Sequence, residues 1–329
     1  MWARRMRRSR AALFFVCCAQ PLVLAAPLPA APPSTARHAG LCDASAAVAL
    51  DRDRFVVADD ERNTLAVFRL GTAEAIERID LSRHLNTKAD KESDIEGAAR
   101  VGQRIFWVTS HGRNAKGEEQ KRRQRFFATD IAQSGQPSLV PAGAAYTKLL
   151  ADLQRAPAFA AFALEKASRL APEAAGGLNI EGLAATPNGA LLIGFRSPLR
   201  ASRALLVLLL NPGDLLQGKP ARFGAPVELD LGGRGIRSIE RVGTGYLIVA
   251  GPTADNGSFA LFEWSGRSSD RPVAVVTPDL ADEHPEALFA AANSAQVYSL
   301  SDDGGRMIGA SRCKDLPAAA QLFRARRVR

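Results

Sequence analysis

Short runs of apolar and β-branched residues recur along the chain, each bounded by Gly, Asn, Asp or Pro, and each returns at a fixed distance from a polar position. Eleven residues beyond Glu96, in Asp94-Ile95-Glu96-Gly97-Ala98-Ala99, lies Trp107 within the run Ile105–Thr109. The same step from Glu181 reaches Leu192 in Leu191–Phe195, and from Arg237 it reaches Ile248 in Tyr246–Ala250. From Glu286 it reaches Val297, and from Ser45 it reaches Val56. Five copies at one offset mark an internal repeat.

Each copy continues with a third run: Leu65–Phe68, Phe126–Thr129, Leu205–Leu210, Phe259–Trp264 and Met307–Ala310. Three copies add a fourth: Ala75–Leu81, Val227–Leu231 and Val273–Thr277. Runs of this length with Asn188-Gly189 and Asp303-Gly304 between them read as strands joined by tight turns. Units of roughly 45 residues with up to four strands predict an all-β fold, a β-propeller of five blades, or six, as one domain over 42–329. A generic β-sandwich is the alternative. The β pattern breaks over 141–178, where Tyr146, Leu149, Leu150 and Leu153 have helical spacing and Pro157 opens a second stretch. This predicts a helical hairpin between blades two and three, laid over one channel mouth as a lid.

Residues 1–30 change the picture of charge. Five arginines precede the apolar stretch Ala11–Ala26, followed by small residues and prolines, which predicts a cleaved signal peptide and a periplasmic or secreted protein. The mature chain then has no transmembrane segment, and residues 31–41 read as a linker. Losing those five takes the net charge from +9 to +4, and four more arginines lie in the last six residues. The remaining body is near neutral, which argues against nucleic acid as a partner. Of four cysteines, Cys42 and Cys313 fall outside the leader and suggest a disulfide tying the ends of the ring. The expected state is a monomer.

In a propeller the first strand of each blade lines the channel, so the repeat gathers its polar positions at one mouth. Glu96, Glu181, Arg237 and Glu286 start first strands, with Asp94, Asn179 and His284 two residues earlier. Asp59, Asp60, His111, Arg113, Arg196, Asp302 and Asp303 end second strands on the same side. So many carboxylates need cations, supplied by the arginines or by a divalent ion such as calcium or magnesium. The basic insertion Asn114–Arg125 reads as a solvated loop or an anion-binding arm. No nucleophile elbow, phosphate loop or paired-His zinc motif is present.

The strings DIEGAA, SHGRN, QRFFAT, NIEGLAATPNGALLIGFRSPL and GIRSIE resemble the bacterial family called domain of unknown function 3616. That resemblance implies a propeller-like fold and brings no established activity. The Glu-Gly repeat is also similar, over shorter motifs, to the family described as having esterase-like activity of phytase. Two function classes follow. One is an exported propeller binding a small anionic ligand or partner at the mouth, through Arg113, Arg196, Arg237, Glu286, His284, Asn179 and Asp94. The other is a calcium-type phosphoesterase or esterase, with Glu96 and Glu181 holding the cation or acting as base and His111 shuttling protons. The sequence does not decide whether the protein is an enzyme, and it names no metal-ligand set.

Overall fold

In the computed structural model, which describes residues 1–2, 35–132, 138–254, 256–276, 280, 282–292 and 294–329, the repeated runs pair as antiparallel strands. The expected signal peptide lies outside these residues apart from Met1 and Trp2. The chain divides into two units, Met1–Pro32 and Pro33–Arg329, and the blades all belong to the second.

A lone strand, β1 (Thr35–Ala39), precedes the first blade, which comprises β2 (Ala44–Ala49), β3 (Arg54–Asp59), β4 (Thr64–Arg69) and β5 (Ala75–Asp80). Blade two comprises β6 (Ile95–Val101), β7 (Arg104–Thr109), β8 (Phe126–Ile131) and β9 (Leu139–Tyr146). Then come helix α1 (Leu149–Arg155), a 3₁₀ turn (Pro157–Phe162) and helix α2 (Leu164–Ala167). Blade three comprises β10 (Asn179–Ala185), β11 (Leu191–Ser197), β12 (Ala204–Leu209) and, after a helical turn α3 (Pro212–Leu215), β13 (Val227–Leu229). Blade four comprises β14 (Gly235–Val242), β15 (Gly245–Gly251), β16 (Ala260–Trp264) and β17 (Val273–Val275). Blade five starts with β18 (Pro285–Ala290) and β19 (Val297–Ser301), passes through a small hairpin, β20 (Met307–Ile308) and β21 (Ser311–Arg312), and resumes in β22 (Leu322–Arg327). Each blade is a four-stranded sheet, and β1 supplies the outermost strand of blade five, in the order β18-β19-β22-β1.

The fold is a five-bladed propeller. Its first strands pack side by side in the cycle β2, β6, β10, β14, β18 and back to β2. Five apolar clusters fill the five gaps between neighbouring blades. On β7, Ile105 and Trp107 face blade one while Phe106 and Val108 face blade three. Both faces of a blade are therefore buried, which is why its inner strands read as unbroken apolar runs rather than alternating ones.

Three sequence expectations change. Thr35–Ala39, expected within the linker 31–41, pairs with β22 from Thr35↔Arg326 to Ala39↔Leu322. The third strand of blade five is β22, not Met307–Ala310. The helical insertion is shorter than 141–178, because Leu139–Tyr146 completes blade two. The insertion also faces elsewhere. Leu149, Leu153, Phe159 and Phe162 pack with Phe126, Leu205, Leu209 and Leu215 in the gap between blades two and three. Of the residues in 141–178, Pro172 and Glu173 line the channel mouth and the helices do not, so they form a brace between blades rather than a lid.

The disulfide is formed between Cys42 and Cys313, whose Cα atoms are 6.0 Å apart. With the third strand moved to β22, Cys313 lies in the connection that leaves β19, on the same side as the start of β2.

Candidate functional site at the channel mouth

All five first strands carry a shift of register at the repeated polar position. The pairing skips Ser45, Glu96, Glu181, Arg237 and Glu286 in turn. Such an extra residue is a β-bulge, which kinks the strand and re-aims one side chain. Here it turns Glu96, Glu181, Arg237 and Glu286 toward the channel mouth, while Ser45 bonds back to the backbone. The glycine after the glutamate follows from the same geometry. A Cβ on Gly97 would stand 2.9 Å from Cβ of Leu183 and 3.1 Å from the Glu181 carbonyl oxygen, so the neighbouring first strand leaves no room for a side chain.

The bulged residues open into a cavity of about 1040 Å³. Glu96, Glu181, Arg237 and Glu286 line it, together with Asp94, Asn179, Arg196 and His284. Asp94 and His284 reach it through left-handed backbone, at φ +62° and +40°. His111 and Arg113 are not among the lining residues. His111 is also left-handed (φ +57°), and its Nδ1 turns back to the Thr109 carbonyl oxygen at 2.8 Å. Burial pushes its pKa down to about 4. Arg113 donates instead to the carbonyl oxygens of Ser168 and Gly117.

On one side of the cavity the charges cancel. Arg196 Nη1 donates to Glu181 Oε1 at 3.1 Å, and Asn179 Nδ2 donates to the same oxygen at 2.9 Å. Arg237 Nε approaches Glu181 Oε2 at 2.9 Å, and its Nη2 pairs with Glu286. The first of these is a charge contact without hydrogen-bond alignment, so Arg237 Nε and Glu181 Oε2 both lack a hydrogen-bond partner, as does Asn179 Oδ1. Burial lowers the pKa of Arg237. Burial opposes charge on Arg196 too, but the Glu181 carboxylate outweighs it and raises the pKa.

The other side is acidic. Asp60, Asp94 and Glu96 place one carboxylate oxygen each within 4.8 Å of one another. Arg123, from the basic insertion, pairs with Asp94 at 2.9 Å and with Glu92 at 2.9 Å. Arg122 also pairs with Glu92, so these two arginines are spent within the insertion's own anchor. Burial, then the carboxylates of Asp43, Glu96, Asp302 and Asp94, push Asp60 well above the usual carboxylate range. Burial, Asp94 and Glu181 do the same to Glu96 against the pull of Arg237 and Arg196. Asp94 is raised by burial, with Arg123 and a hydrogen bond from Ser110 opposing. Sequence reasoning placed Asp60 at this mouth as a strand end but gave it no role. Arg123, Asp282 and Lys314 also line the cavity, brought in by connections whose course no repeat predicts, and Arg324 reaches it from β22.

Among the described residues no helix is long and apolar enough to cross a membrane. The chain is similar in structure to a putative oxidoreductase (glucose dehydrogenase) from Thermus thermophilus, with TM-score 0.44 and 12% identity over 90% of this chain and 100% of that one. It is similar also to the PQQ-bound aldose sugar dehydrogenase from Streptomyces coelicolor, with TM-score 0.44 and 10% identity over 90% and 99%. A third similar structure is virginiamycin B lyase from Staphylococcus aureus, with TM-score 0.39 and 10% identity over 83% of each chain. No curated protein matches the sequence. No match supports the likeness to the esterase-like activity of phytase family. A family model described as "Protein of unknown function (DUF3616)" matches residues 43–135 and 130–293, and the chain belongs to that family.

Proposed function

We propose that the protein is an exported binding propeller, which takes a small ligand with an anionic group at the channel mouth. The observation that carries this reading is the set of enclosed polar atoms there without a hydrogen-bond partner: Arg237 Nε, Glu181 Oε2 and Asn179 Oδ1. Buried polar atoms are costly when unpaired, and their convergence on one cavity calls for a polar occupant. Arg196 uses Nε on the Pro252 carbonyl oxygen and Nη1 on Glu181, which leaves further donors of its five for a carboxylate or phosphate. The disulfide fits an oxidising compartment and supports export.

The hydrolase alternative keeps Glu96 at the mouth but loses its proton shuttle, because His111 turns toward Thr109 behind the lining. Binding is therefore the preferred reading. Thermal-shift measurements against inorganic phosphate, citrate and sugar phosphates test it. At least one should raise the melting temperature of the mature chain, and Arg196→Lys, which keeps the charge but loses the fork, should abolish the rise. A flat response to the whole panel, or an unchanged rise in Arg196→Lys, would sink it.

A further inference from the structure

We infer that the acidic side of the mouth is a divalent cation site, with Asp60, Asp94 and Glu96 as carboxylate ligands and calcium as the ion it takes. This stands on different side chains from the anion reading and does not need it.

Three observations combine. The three carboxylates come from the end of blade one's second strand and the start of blade two's first strand, and one oxygen of each lies within 4.8 Å of the others. Oxygens bound to one calcium at about 2.4 Å can be no further apart than about 4.8 Å, and the three oxygens stay within that limit. Secondly, the carboxylates are not used up by the protein. Glu96, only 8% exposed, receives no hydrogen bond or ion pair from any described residue, and Oδ1 of Asp60 is enclosed without a partner. Arg123 forms an ion pair with Asp94 alone of the three, while its charge also reaches Glu96 without contact. Thirdly, the contrast across the cavity is specific. Glu181 and Glu286 occupy the same bulge position as Glu96, yet each has a guanidinium against it. In blade one the bulge residue is Ser45, whose hydroxyl donates to the Ile95 carbonyl oxygen at 2.5 Å and sends no charge inward. The cation that an arginine supplies elsewhere in the ring is missing where Asp60 and Glu96 meet.

The ligand atoms are all hard oxygens, which excludes soft metals. Magnesium requires oxygens at about 2.0–2.1 Å in near-ideal octahedral order, whereas calcium tolerates irregular sets of 6–8 oxygens. Carboxylates fixed on two blades and a cavity of about 1040 Å³, with room for water to complete the shell, suit the larger ion.

The test is calorimetric titration of the chelator-treated mature chain with calcium chloride, and separately magnesium chloride, in a buffer free of phosphate and carboxylates. The expected result is one calcium per chain, bound at least about tenfold more tightly than magnesium, with a calcium-dependent rise in melting temperature. Asp60→Asn and Glu96→Gln should each weaken calcium on the order of tenfold or more. Both remove a like charge, so both should fold, which circular dichroism and melting without calcium will verify. Absence of calcium heat in the wild type overturns the site. Calcium affinity unchanged in both variants overturns the ligand assignment, and preference for magnesium overturns the ion. Because neither phosphate nor a carboxylate ligand is present, failure here leaves the anion reading untouched, and success does not prove it.

Discussion

The two sides of the channel mouth are built by the same device with opposite electrostatic outcomes. Across blades three to five, the bulge delivers Glu181, Arg237 and Glu286, and the end of β11 adds Arg196, so carboxylates and guanidiniums alternate and pair. Across blades one and two, it delivers Ser45 and Glu96, and the turn after β3 adds Asp60, so carboxylates meet carboxylates. One side is an internally neutralised network that stabilises the ring. The other holds like charges together at a cost in stability, which is the pattern expected of a site kept for an occupant.

The largest test of this comparison is covalent. Cys42 precedes β2 of blade one and Cys313 lies in the connection after β19 of blade five, so the disulfide fastens the seam between the acidic side and its neighbour and touches no other blade. It closes a loop with a sequence separation of 271 residues. The chain-entropy model assigns such a closure about 5 kcal/mol. Reduction, or Cys42→Ser with Cys313→Ser, should lower stability by up to that amount in denaturant titrations. Hydrogen exchange should show the loss first at the ends of β2, β19 and β22. Uniform loosening of all five blades would break the comparison.

Next in size is a pair of substitutions with opposite signs. Glu181→Ala removes the shared partner of Arg196 and Arg237 and leaves two buried guanidiniums facing each other, at a cost of about 3–5 kcal/mol. Glu96→Gln, at the equivalent bulge, relieves repulsion and should stabilise the cation-free chain, on the order of 1 kcal/mol. Chemical denaturation of both variants in the presence of chelator measures this. Two losses of similar size would show that the acidic side is held as tightly as its opposite.

Most of the ring was legible because each blade buries both faces of its inner strands, so apolar runs repeat at the spacing set by the bulge and the turn. The bulge itself was legible as the Glu-Gly pair, since the crowding at Gly97 and Gly182 requires that glycine. The outer strands β1 and β22 were not. They alternate, with His38, Phe323 and Ala325 inward and Arg324 and Arg326 half-buried in ion pairs, and the two strands that pair come from opposite ends of the chain. His111 and Arg113 misled for a related reason. Residues just beyond a strand follow the local turn rather than the period of two, and a left-handed His111 reverses the side chain. Asp60, only one residue past its strand, kept its direction into the cavity.

The smallest expected effect is a slope with pH, to which the acidic rim and a buried histidine contribute with opposite signs. Asp43 lies behind Asp60; burial, then the charge and hydrogen bonding of Asp302, push its pKa up to about 9 from an ordinary value near 3.8. The folded chain thus keeps a proton that the unfolded chain releases, so stability falls as pH rises between these limits. Glu240, raised by burial to about 8, adds to the same decline from outside the rim. His38 acts in the other direction. Packed among Phe55, Phe68 and Phe323, it is lowered by burial to about 4, and the unfolded chain takes up its proton first, so stability is lost as pH falls below about 6.5. Below that pH the two slopes oppose each other; above it the histidine is neutral in both states and the carboxylates act alone. Melting temperature in chelator should accordingly decline from about pH 6.5 to 9. Asp43→Asn should lessen that decline, with Glu240 and the raised Asp60 and Glu96 supplying the remainder, whereas His38→Phe should leave it intact and change only the profile below about pH 6.5. If Asp43→Asn leaves the alkaline slope unaltered, the protonated Asp43–Asp302 pair is not what links the acidic rim to stability, and the contrast between the two sides rests on Asp60, Asp94 and Glu96 alone.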